Sequence, residues 1–169
     1  MSKNVTENFK VIAENRKASF NYTILEIFEA GIILQGTEVK SLRQNHCSIT
    51  ESFIGEMGGS GRSRGPTGEL FLFNANIPVY SHAKMFNHAP KAPRKILLHK
   101  KESNKLLGAI RRKGLTIVPL SMFFNPKGLV KVKIALAQGK NVSDKRETIK
   151  ERDWNRDKSR ILKKQYTSS

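Results

Sequence analysis

The most regular part of the chain reads Leu115-Thr-Ile-Val-Pro-Leu-Ser-Met-Phe-Phe-Asn-Pro-Lys-Gly-Leu-Val-Lys-Val-Lys-Ile-Ala-Leu-Ala137. Two apolar runs, Leu115–Phe124 and Leu129–Ala137, flank the segment Asn125-Pro-Lys-Gly128, and this pattern predicts two strands joined by a tight turn. In the second run, Val and Ile at even-numbered positions alternate with Lys131 and Lys133. An alternation of period two places the two sets on opposite faces, so we predict a half-buried strand with a basic outer face.

Shorter strand patterns occupy the rest of the first 139 residues. They cover Phe20–Phe28, Ile32–Gln35, Ser48–Gly55, Glu69–Phe73 and the short apolar run Ile96–Leu98, with a turn expected at Glu29–Gly31. Thr37 can cap a short helix that ends near Arg43, and apolar residues at helical spacing indicate another helix over 100–113. We therefore predict a mainly β fold: a small closed barrel of about six strands, of the oligonucleotide-binding type, with two or three flanking helices.

The composition changes after Gly139. Residues 140–169 are densely charged, with both signs present, and hold few large apolar side chains. These apolar side chains are too few to form a buried core. We predict a barrel domain over 1–139 and a basic C-terminal tail over 140–169, disordered alone and helical on a polyanion. Within the domain, the Gly/Ser/Arg-rich segment 57–68 is predicted to be a flexible loop between two strands.

Positive charge is the strongest functional signal. Of the 169 residues, 31 are Lys or Arg and 14 are Asp or Glu, so the formal net charge is +17. Residues 84–139 hold 13 basic side chains and a single acidic one, Glu102. A solvated surface or an anionic membrane would be the alternatives, but this ratio favours nucleic acid, whose phosphates release condensed counterions when Lys or Arg binds.

Several classes of protein are excluded or disfavoured by composition. The uncharged run Gly114–Pro126 has 13 residues and contains Pro119, whereas a membrane-spanning helix needs roughly 20 apolar residues. Cys47 is the only cysteine, which excludes a disulfide scaffold. The first residues form no apolar signal segment, so we expect a cytoplasmic protein.

No catalytic or cofactor site emerges from the motifs. The glycines of 59–65 lack the Gly-Lys-Ser/Thr ending of a phosphate loop, and His82 and His88 lack a third metal ligand. The carboxylates are scattered, so we expect no metal, no cofactor and no enzymatic activity. Phe71 and Phe73 are compatible with base stacking, although alternate aromatic residues on a strand more often pack in a core.

Eight segments resemble the SmpB family, the small protein B that binds tmRNA (the SsrA RNA) in bacterial trans-translation. The most specific is Gly36-Thr-Glu-Val-Lys-Ser-Leu-Arg43. The others are Phe28–Gly31, Glu69–Ile77, Pro93–Lys100, Val130–Ile134, Asp144–Arg146, Ile149–Trp154 and Asp157–Ile161, in the order of that family. The resemblance covers roughly residues 12–164.

The resemblance implies an RNA-binding adaptor that catalyses nothing. In this family an oligonucleotide-binding-like barrel binds the tRNA-like domain of tmRNA, and the complex enters the vacant A site of a stalled ribosome. The tail then folds as a helix along the empty mRNA channel of the small subunit, beyond the decoding centre. We accordingly expect a monomer whose partners are tmRNA and the ribosome, without a membrane.

Site residues follow from the resemblance and from the basic stretch. The tmRNA-binding set is Asn15, Glu29, Arg94, Lys95, Leu97, His99, Lys131 and Lys133. The ribosome-binding tail set is Lys140, Asp144, Lys145, Arg146, Arg152, Trp154, Lys158, Arg160 and Ile161. Glu29 has an equally weighted alternative as a residue of a strand-end turn. Ser143 stands where many members of the family carry a histidine, and a serine side chain cannot stack on a base as that histidine can.

Two other functions remain open at this point. The first is a generic RNA-binding barrel protein associated with the ribosome, and the more distant one is an RNA-processing enzyme. The adaptor and the generic binder differ in specificity, because a generic binder would show only a salt-dependent affinity that does not discriminate between RNAs.

Overall fold

A computed structural model of the protein describes residues 10–44, 47–58, 66–83 and 85–166. Its strands are β1 (Lys10–Glu14), β2 (Tyr22–Ile32), β3 (Phe53–Gly58), β4 (Pro66–Phe73), β5 (Arg94–Leu97), β6 (Thr116–Phe124) and β7 (Val130–Gly139). Its helices are α1 (Ala18–Asn21), α2 (Gly36–Gln44), α3 (Lys100–Lys113) and α4 (Val142–Tyr166). Within the described ranges, no helix combines the length and the apolar character needed to cross a bilayer.

The seven strands form one antiparallel sheet in the order β1-β6-β3-β4-β5-β2-β7, and β6 also pairs with β7. The predicted hairpin of β6 and β7 is confirmed, with Phe124 opposite Val130 at its closed end. Asn125 holds the turn, because its backbone N–H donates to the Leu129 carbonyl at 2.9 Å and its Oδ1 accepts from the Leu129 N–H at 2.8 Å. Gly128 has a φ of +76°, which a residue without a Cβ adopts at no steric cost.

The main core lies on the inward faces of this sheet. Val132 and Ile134 are fully buried there, while Lys133 is exposed on the opposite face, as the alternation predicted. A second, smaller apolar cluster lies where α1 packs, and consists of Ala18, Val118, Ala135 and Ala137. The small alanines let this short helix approach β6 and β7 closely.

The prediction was wrong for the first strands. The expected turn at Glu29–Gly31 does not exist, because β2 runs without a break from Tyr22 to Ile32. Its pairing explains this: β7 lies beside it from Tyr22 to Gly31, and β5 pairs with its last two residues. No separate strand forms over 32–35, and β1 was not anticipated. Over the described residues the structure therefore has seven strands and four helices, where about six strands and two or three helices were expected.

Both ends of the predicted loop 57–68 belong to strands. Residues 57–58 belong to β3 and residues 66–68 to β4, and the remainder of the predicted loop lies outside the described residues. Gly58 pairs with Pro66, so the hairpin of β3 and β4 includes residues that the Gly/Ser/Arg-rich pattern predicted to be loop.

The tail, which we predicted to be disordered alone and helical on a polyanion, contains α4, a continuous helix of 25 residues. Isolated helices shorter than roughly 12–15 residues are only marginally stable in water, and α4 is longer than this. Lys140 fastens its start to α1, since its backbone N–H donates to the Asn21 carbonyl at 3.0 Å and its Nζ to the Ser19 carbonyl at 3.1 Å. Asp144 accepts from the Asn141 N–H at 3.4 Å in the first turn.

A buried ion pair joins α2 to β5. The Nε of Arg94 donates to Glu38 Oε1 at 2.7 Å, and the two side chains are only 2% and 3% exposed. The guanidinium also donates to the carbonyls of Ala75 at 2.6 Å and Pro90 at 2.9 Å, and Glu38 Oε2 accepts from the Gln35 N–H at 2.7 Å. Both charges are therefore satisfied by several partners, which offsets the cost of removing them from water.

We expect Arg94→Met to lower the free energy of unfolding by about 3–5 kcal/mol, because it leaves the Glu38 carboxylate buried without its partner. Urea denaturation followed by circular dichroism measures the change. The double variant Glu38→Leu with Arg94→Met is the control, and it should lose less than Arg94→Met alone because no unpaired charge remains. Equal stability of Arg94→Met and the wild type would contradict this account.

Candidate nucleic-acid interface

An open groove of about 710 Å³ lies where β2, β5 and β7 meet the ends of α2 and α3. Its lining includes four residues of the predicted tmRNA-binding set: Glu29, Leu97, His99 and Lys131. They come from three strands and from the residue that precedes α3, so only the folded sheet brings them together. We call this surface the groove.

Cross-strand pairing positions the charged side of the groove. Glu29 lies on β2 and Lys131 on the neighbouring β7, with Nζ of Lys131 3.8 Å from Glu29 Oε1. Half of the Glu29 side chain stays exposed. Its second oxygen is thus available as an acceptor for amino groups on base edges, the role that carboxylates take in nucleic-acid recognition.

The apolar floor of the groove is formed by Leu97 and Leu129, which are 48% and 58% exposed. Gly31 is paired with Leu97 across β2 and β5, and a Cβ at Gly31 would lie only 3.3 Å from the Leu97 Cβ. Glycine at this position lets the leucine side chain lie close against β2. Two exposed leucines beside charged groups form a surface suited to ribose and base faces.

His99 marks the entry to α3. Its backbone N–H donates to Glu102 Oε2 at 3.2 Å, and its carbonyl accepts from the Ser103 N–H at 2.9 Å. These bonds fix the first turn of the helix and leave the imidazole exposed at the groove. The ring can therefore donate a hydrogen bond to RNA or stack on a base.

Four predicted residues do not line the groove, and two of them, Arg94 and Asn15, are buried. Arg94 is buried in the ion pair with Glu38, so its guanidinium serves the fold and is not available to RNA. Asn15 is 8% exposed, donates from Nδ2 to the Pro119 carbonyl at 3.2 Å and has no described hydrogen-bond partner for Oδ1. It lies beside α1, in a small pocket that also includes Lys17 and Ser52.

The remaining two basic residues of the set are on outer faces. Lys95 forms an ion pair with Glu69 of the neighbouring β4. Lys133 is exposed on β7, with its Nζ 5.7 Å from the centroid of the Phe123 ring. Phe71 and Phe73 are half-buried, whereas Leu70 and Leu72 occupy the core, so the expectation of core packing for these two aromatic residues was wrong.

Ion pairs divide the 13 basic residues of 84–139 into groups. Five have carboxylate partners: Arg94 with Glu38, Lys95 with Glu69, Lys105 with Glu26, Arg111 with Glu56 and Lys131 with Glu29. Five exposed lysines have no carboxylate of the described residues within ion-pair distance: Lys91, Lys100, Lys101, Lys127 and Lys133. Lys84 and the side chains of Arg112 and Lys113 lie outside the described residues. The second group is the one free to neutralise phosphates.

The structure shifts the pKa of two side chains, Glu56 and Cys47. The bidentate hydrogen bond from Arg111, at 2.8 and 2.7 Å, lowers the pKa of the Glu56 carboxyl, and the Gly68 N–H bond at 2.7 Å acts in the same direction. Burial raises the pKa of the Cys47 thiol to about 11, which keeps it protonated and unreactive. Among the described residues, no three His, Cys, Asp or Glu side chains cluster as metal ligands would.

The predicted tail residues all lie on α4 or at its start. Asp144, Arg146, Lys158 and Arg160 are exposed, and Lys145 is partly buried. Trp154 is 70% exposed, and Arg152 lies over the ring of Phe20 on α1 at 5.5 Å from the centroid. Ile161 lies within α4 by its backbone, and its side chain is outside the description.

Comparisons with known proteins show which family the chain belongs to. The profile of the family described as SmpB protein matches residues 12–164. The chain belongs to the SmpB family. An SsrA-binding protein of Afipia carboxidovorans is 52% identical over 163 residues, covering 96% of this chain and 98% of its own length. Another, from Sphingopyxis alaskensis, is 56% identical over 154 residues, covering 91% of this chain and 90% of its own.

A solved structure of the SmpB family is also similar. One chain from a study of tmRNA-SmpB and the bacterial ribosome matches this SmpB-family fold with a TM-score of 0.58 and 46% identity. The match covers 76% of this chain and 84% of the other. The family resemblance inferred from the segments is therefore confirmed.

The predicted set omits most of the residues that line the groove, and three of these omissions affect its shape or charge. Arg43 and Leu129 line it, and Gly31 sets the position of Leu97. Arg43 closes the most specific SmpB-family segment, so a signal was present for that residue. The sequence pattern predicts only that Leu129 begins a strand and that Gly31 belongs to a turn.

We expect the free energy of unfolding of Glu56→Gln to fall less steeply than that of the wild type as the pH is lowered. The pKa of Glu56 is lower in the folded state than its ordinary 4.5, so its ion pair stabilises the fold above that value. This contribution is lost as the pH falls through the lower folded pKa. Urea titrations from about pH 6 to about pH 3 should show a steeper fall in unfolding free energy for the wild type than for the variant. Arg111→Gln, which removes the cause, should flatten the curve similarly, and unchanged slopes in both variants would contradict the assignment.

Proposed function

We propose that this protein binds the tRNA-like domain of tmRNA and delivers alanyl-tmRNA to the vacant A site of stalled ribosomes in trans-translation. The observation that carries the proposal is the match to the SmpB family over residues 12–164, together with SsrA-binding relatives that align over almost the whole chain. The protein would act as an adaptor and not as an enzyme, since positioning RNA requires no reacting group. With these partners it would work as a monomer in the cytoplasm.

The groove supplies the chemistry for RNA recognition in this proposal. Leu97 and Leu129 would contact base or ribose faces, Glu29 would accept hydrogen bonds from base amino groups, and the imidazole of His99 would donate. Asn15 would contribute from the neighbouring face beside α1. Arg94 supports this surface indirectly, because it holds β5 against α2.

The exposed lysines supply the electrostatic attraction. Lys100 and Lys101 begin α3 directly after His99, and Lys133 lies two residues along β7 from Lys131. Each contact with a phosphate would release a counterion, so binding would weaken as salt rises. Discrimination between RNAs would come from the fixed contacts of the groove.

The sheet is proposed to be a closed barrel of the oligonucleotide-binding type. The pairing partners support this, because they lead from β6 through β3, β4, β5 and β2 to β7, which pairs again with β6. Closing the sheet removes free strand edges, and such barrels present a side of the sheet and its loops to nucleic acid. Residues 1–139 would form this body.

The tail, residues 140–169, is proposed to enter the ribosome as a helix. Asp144, Lys145 and Arg146 would lie at the decoding centre, and Trp154, Lys158, Arg160 and Ile161 would line the empty mRNA channel. The exposure of Trp154 on α4 supports this, because an exposed tryptophan among charged residues has contact area to offer a partner. Lys140 and Arg152, which touch α1 here, would orient the helix with respect to the body.

Specific binding is tested by titrating the protein with the tmRNA tRNA-like domain and with an elongator tRNA. We expect tmRNA binding to persist from about 50 mM to about 200 mM salt while tRNA binding falls steeply. Leu97→Asp should weaken tmRNA binding at least about 10-fold, since it places a negative charge and removes apolar contact in the groove.

The matched control for that titration is Leu25→Asp, which alters a leucine of similar exposure on β2 outside the lining of the groove. It should bind tmRNA as the wild type does. If both RNAs lose affinity together as salt rises, the protein is instead a generic RNA-binding barrel.

The tail is tested in the full chain by Trp154→Ala. We expect unchanged stability and tmRNA binding, because the side chain is 70% exposed, and a loss of peptide tagging in reconstituted translation of a truncated mRNA. Ile149→Ala, a less exposed apolar residue on the same helix, is the comparison and should affect tagging less. Normal tagging by Trp154→Ala would rule out this role for the tryptophan.

A further inference from the structure

The described residues 79–83 and 85–87, between β4 and β5, expose apolar side chains to solvent. Met85 and Phe86 are each 84% exposed, more than any other large apolar side chain in the described part of the chain, and Val79 is 49% exposed. A phenylalanine ring that is almost completely exposed to water adds almost no buried apolar area to the fold. We call this segment the aromatic loop.

The base of the aromatic loop is rigidly held. The Asn87 side chain bridges the two ends, since Nδ2 donates to the Tyr80 carbonyl at 2.8 Å and Oδ1 accepts from the Tyr80 N–H at 3.2 Å. The next residue, His88, is 4% exposed, and its ring nitrogens contact Thr37 Oγ1 at 3.0 Å and the Pro78 carbonyl at 3.1 Å. The Ser41 hydroxyl donates to the same carbonyl. Phe86 therefore projects from a loop whose ends are fixed.

The surroundings of the aromatic loop are basic and aromatic. No acidic residue occurs in the sequence from 70 to 101, and three of its six Lys or Arg residues, Lys91, Lys100 and Lys101, are exposed without a carboxylate partner among the described residues. Arg94 and Lys95 are instead paired with Glu38 and Glu69. Lys40 of α2 lies over the Tyr80 ring at 5.8 Å from its centroid, and the ring of His82 lies 5.4 Å from that of Tyr80. Cations beside exposed rings suit a polyanion that carries flat bases, and they disfavour an apolar protein partner, which would pay to desolvate them.

Helix α2 places the aromatic loop beside the groove. Val39 and Arg43, one helical turn apart, line the groove, while Lys40 contacts Tyr80 of the loop and Ser41 contacts Pro78 directly before it. One helix of nine residues thus separates the two surfaces. An RNA bound in the groove would have its neighbouring nucleotides within reach of the loop.

We propose that Phe86, flanked by Met85, is a stacking site for an unpaired RNA base, separate from the groove. The proposal rests on the proposed function only in taking RNA as the ligand. The exposed phenylalanine ring would stack against a base exposed by a loop or single strand, and the nearby cations would hold the adjoining phosphates.

The test uses full-length protein and a 2-aminopurine-labelled single-stranded adenine-rich RNA, with a blunt RNA duplex of equal length as the second probe. Stacking quenches 2-aminopurine fluorescence. We expect Phe86→Ala to weaken single-strand binding by about 5-fold to about 150-fold, the range for one stacked base, and to reduce the quenching. Binding of the duplex, whose bases are not available, should stay unchanged.

Two further variants keep the test decisive. Phe86→Tyr should bind the single strand as the wild type does, because the ring is kept, whereas Phe86→Leu should behave like Phe86→Ala. Phe53→Ala, which alters another exposed phenylalanine on β3, should leave both probes unaffected. Melting curves should be unchanged for the Phe86 variants, because the ring is exposed.

Several outcomes would overturn the stacking site. They are wild-type affinity and quenching in Phe86→Ala, equal losses for single strand and duplex, or retention of binding by Phe86→Leu, which would indicate an apolar contact with another kind of partner. These outcomes are independent of the tmRNA titration. Loss of single-strand stacking with intact tmRNA preference would support both proposals, and a failure of tmRNA preference with intact stacking would remove only the adaptor function.

Discussion

The buried ion pair between Glu38 and Arg94 is the constraint on which the groove and the aromatic loop both depend. Glu38 is on α2, Arg94 begins β5, and the guanidinium also holds the carbonyls of Ala75 and Pro90 on either side of the aromatic loop. A hydrophobic pair would fill the same volume, but it would not satisfy these carbonyls or the Gln35 N–H. The pair thus fixes how α2, β5 and the segment between β4 and β5 meet.

Much of the architecture could be predicted from local patterns. The hairpin of β6 and β7, helix α3 and the basic outer face of β7 follow from alternation and turn residues that act over a few positions. The continuity of β2 could not be predicted in this way. Glu29-Ala-Gly31 has local turn character, and only pairing with β7, about a hundred residues later in the chain, overrides it.

The candidate site was predicted in part for a similar reason. The family resemblance identified Leu97 and His99, and the alternation along β7 predicted that Lys131 lies on the outer face. These residues of the groove could therefore be predicted from the sequence. Counting charges could not distinguish Arg94, whose partner Glu38 lies 56 positions away, from a lysine facing solvent. The same limit applies to the field of the whole protein: five central cations are paired with carboxylates, so the net charge overstates what RNA meets close to the surface.

The unbroken course of β2 has a mechanical consequence. One end of this strand pairs with Gly139, next to the Lys140 anchor of α4, and the other end pairs with Leu97 in the groove. An 11-residue strand within a sheet spans on the order of 30 Å. It therefore sets one fixed separation between the groove at one end of the body and the point from which the tail departs at the other.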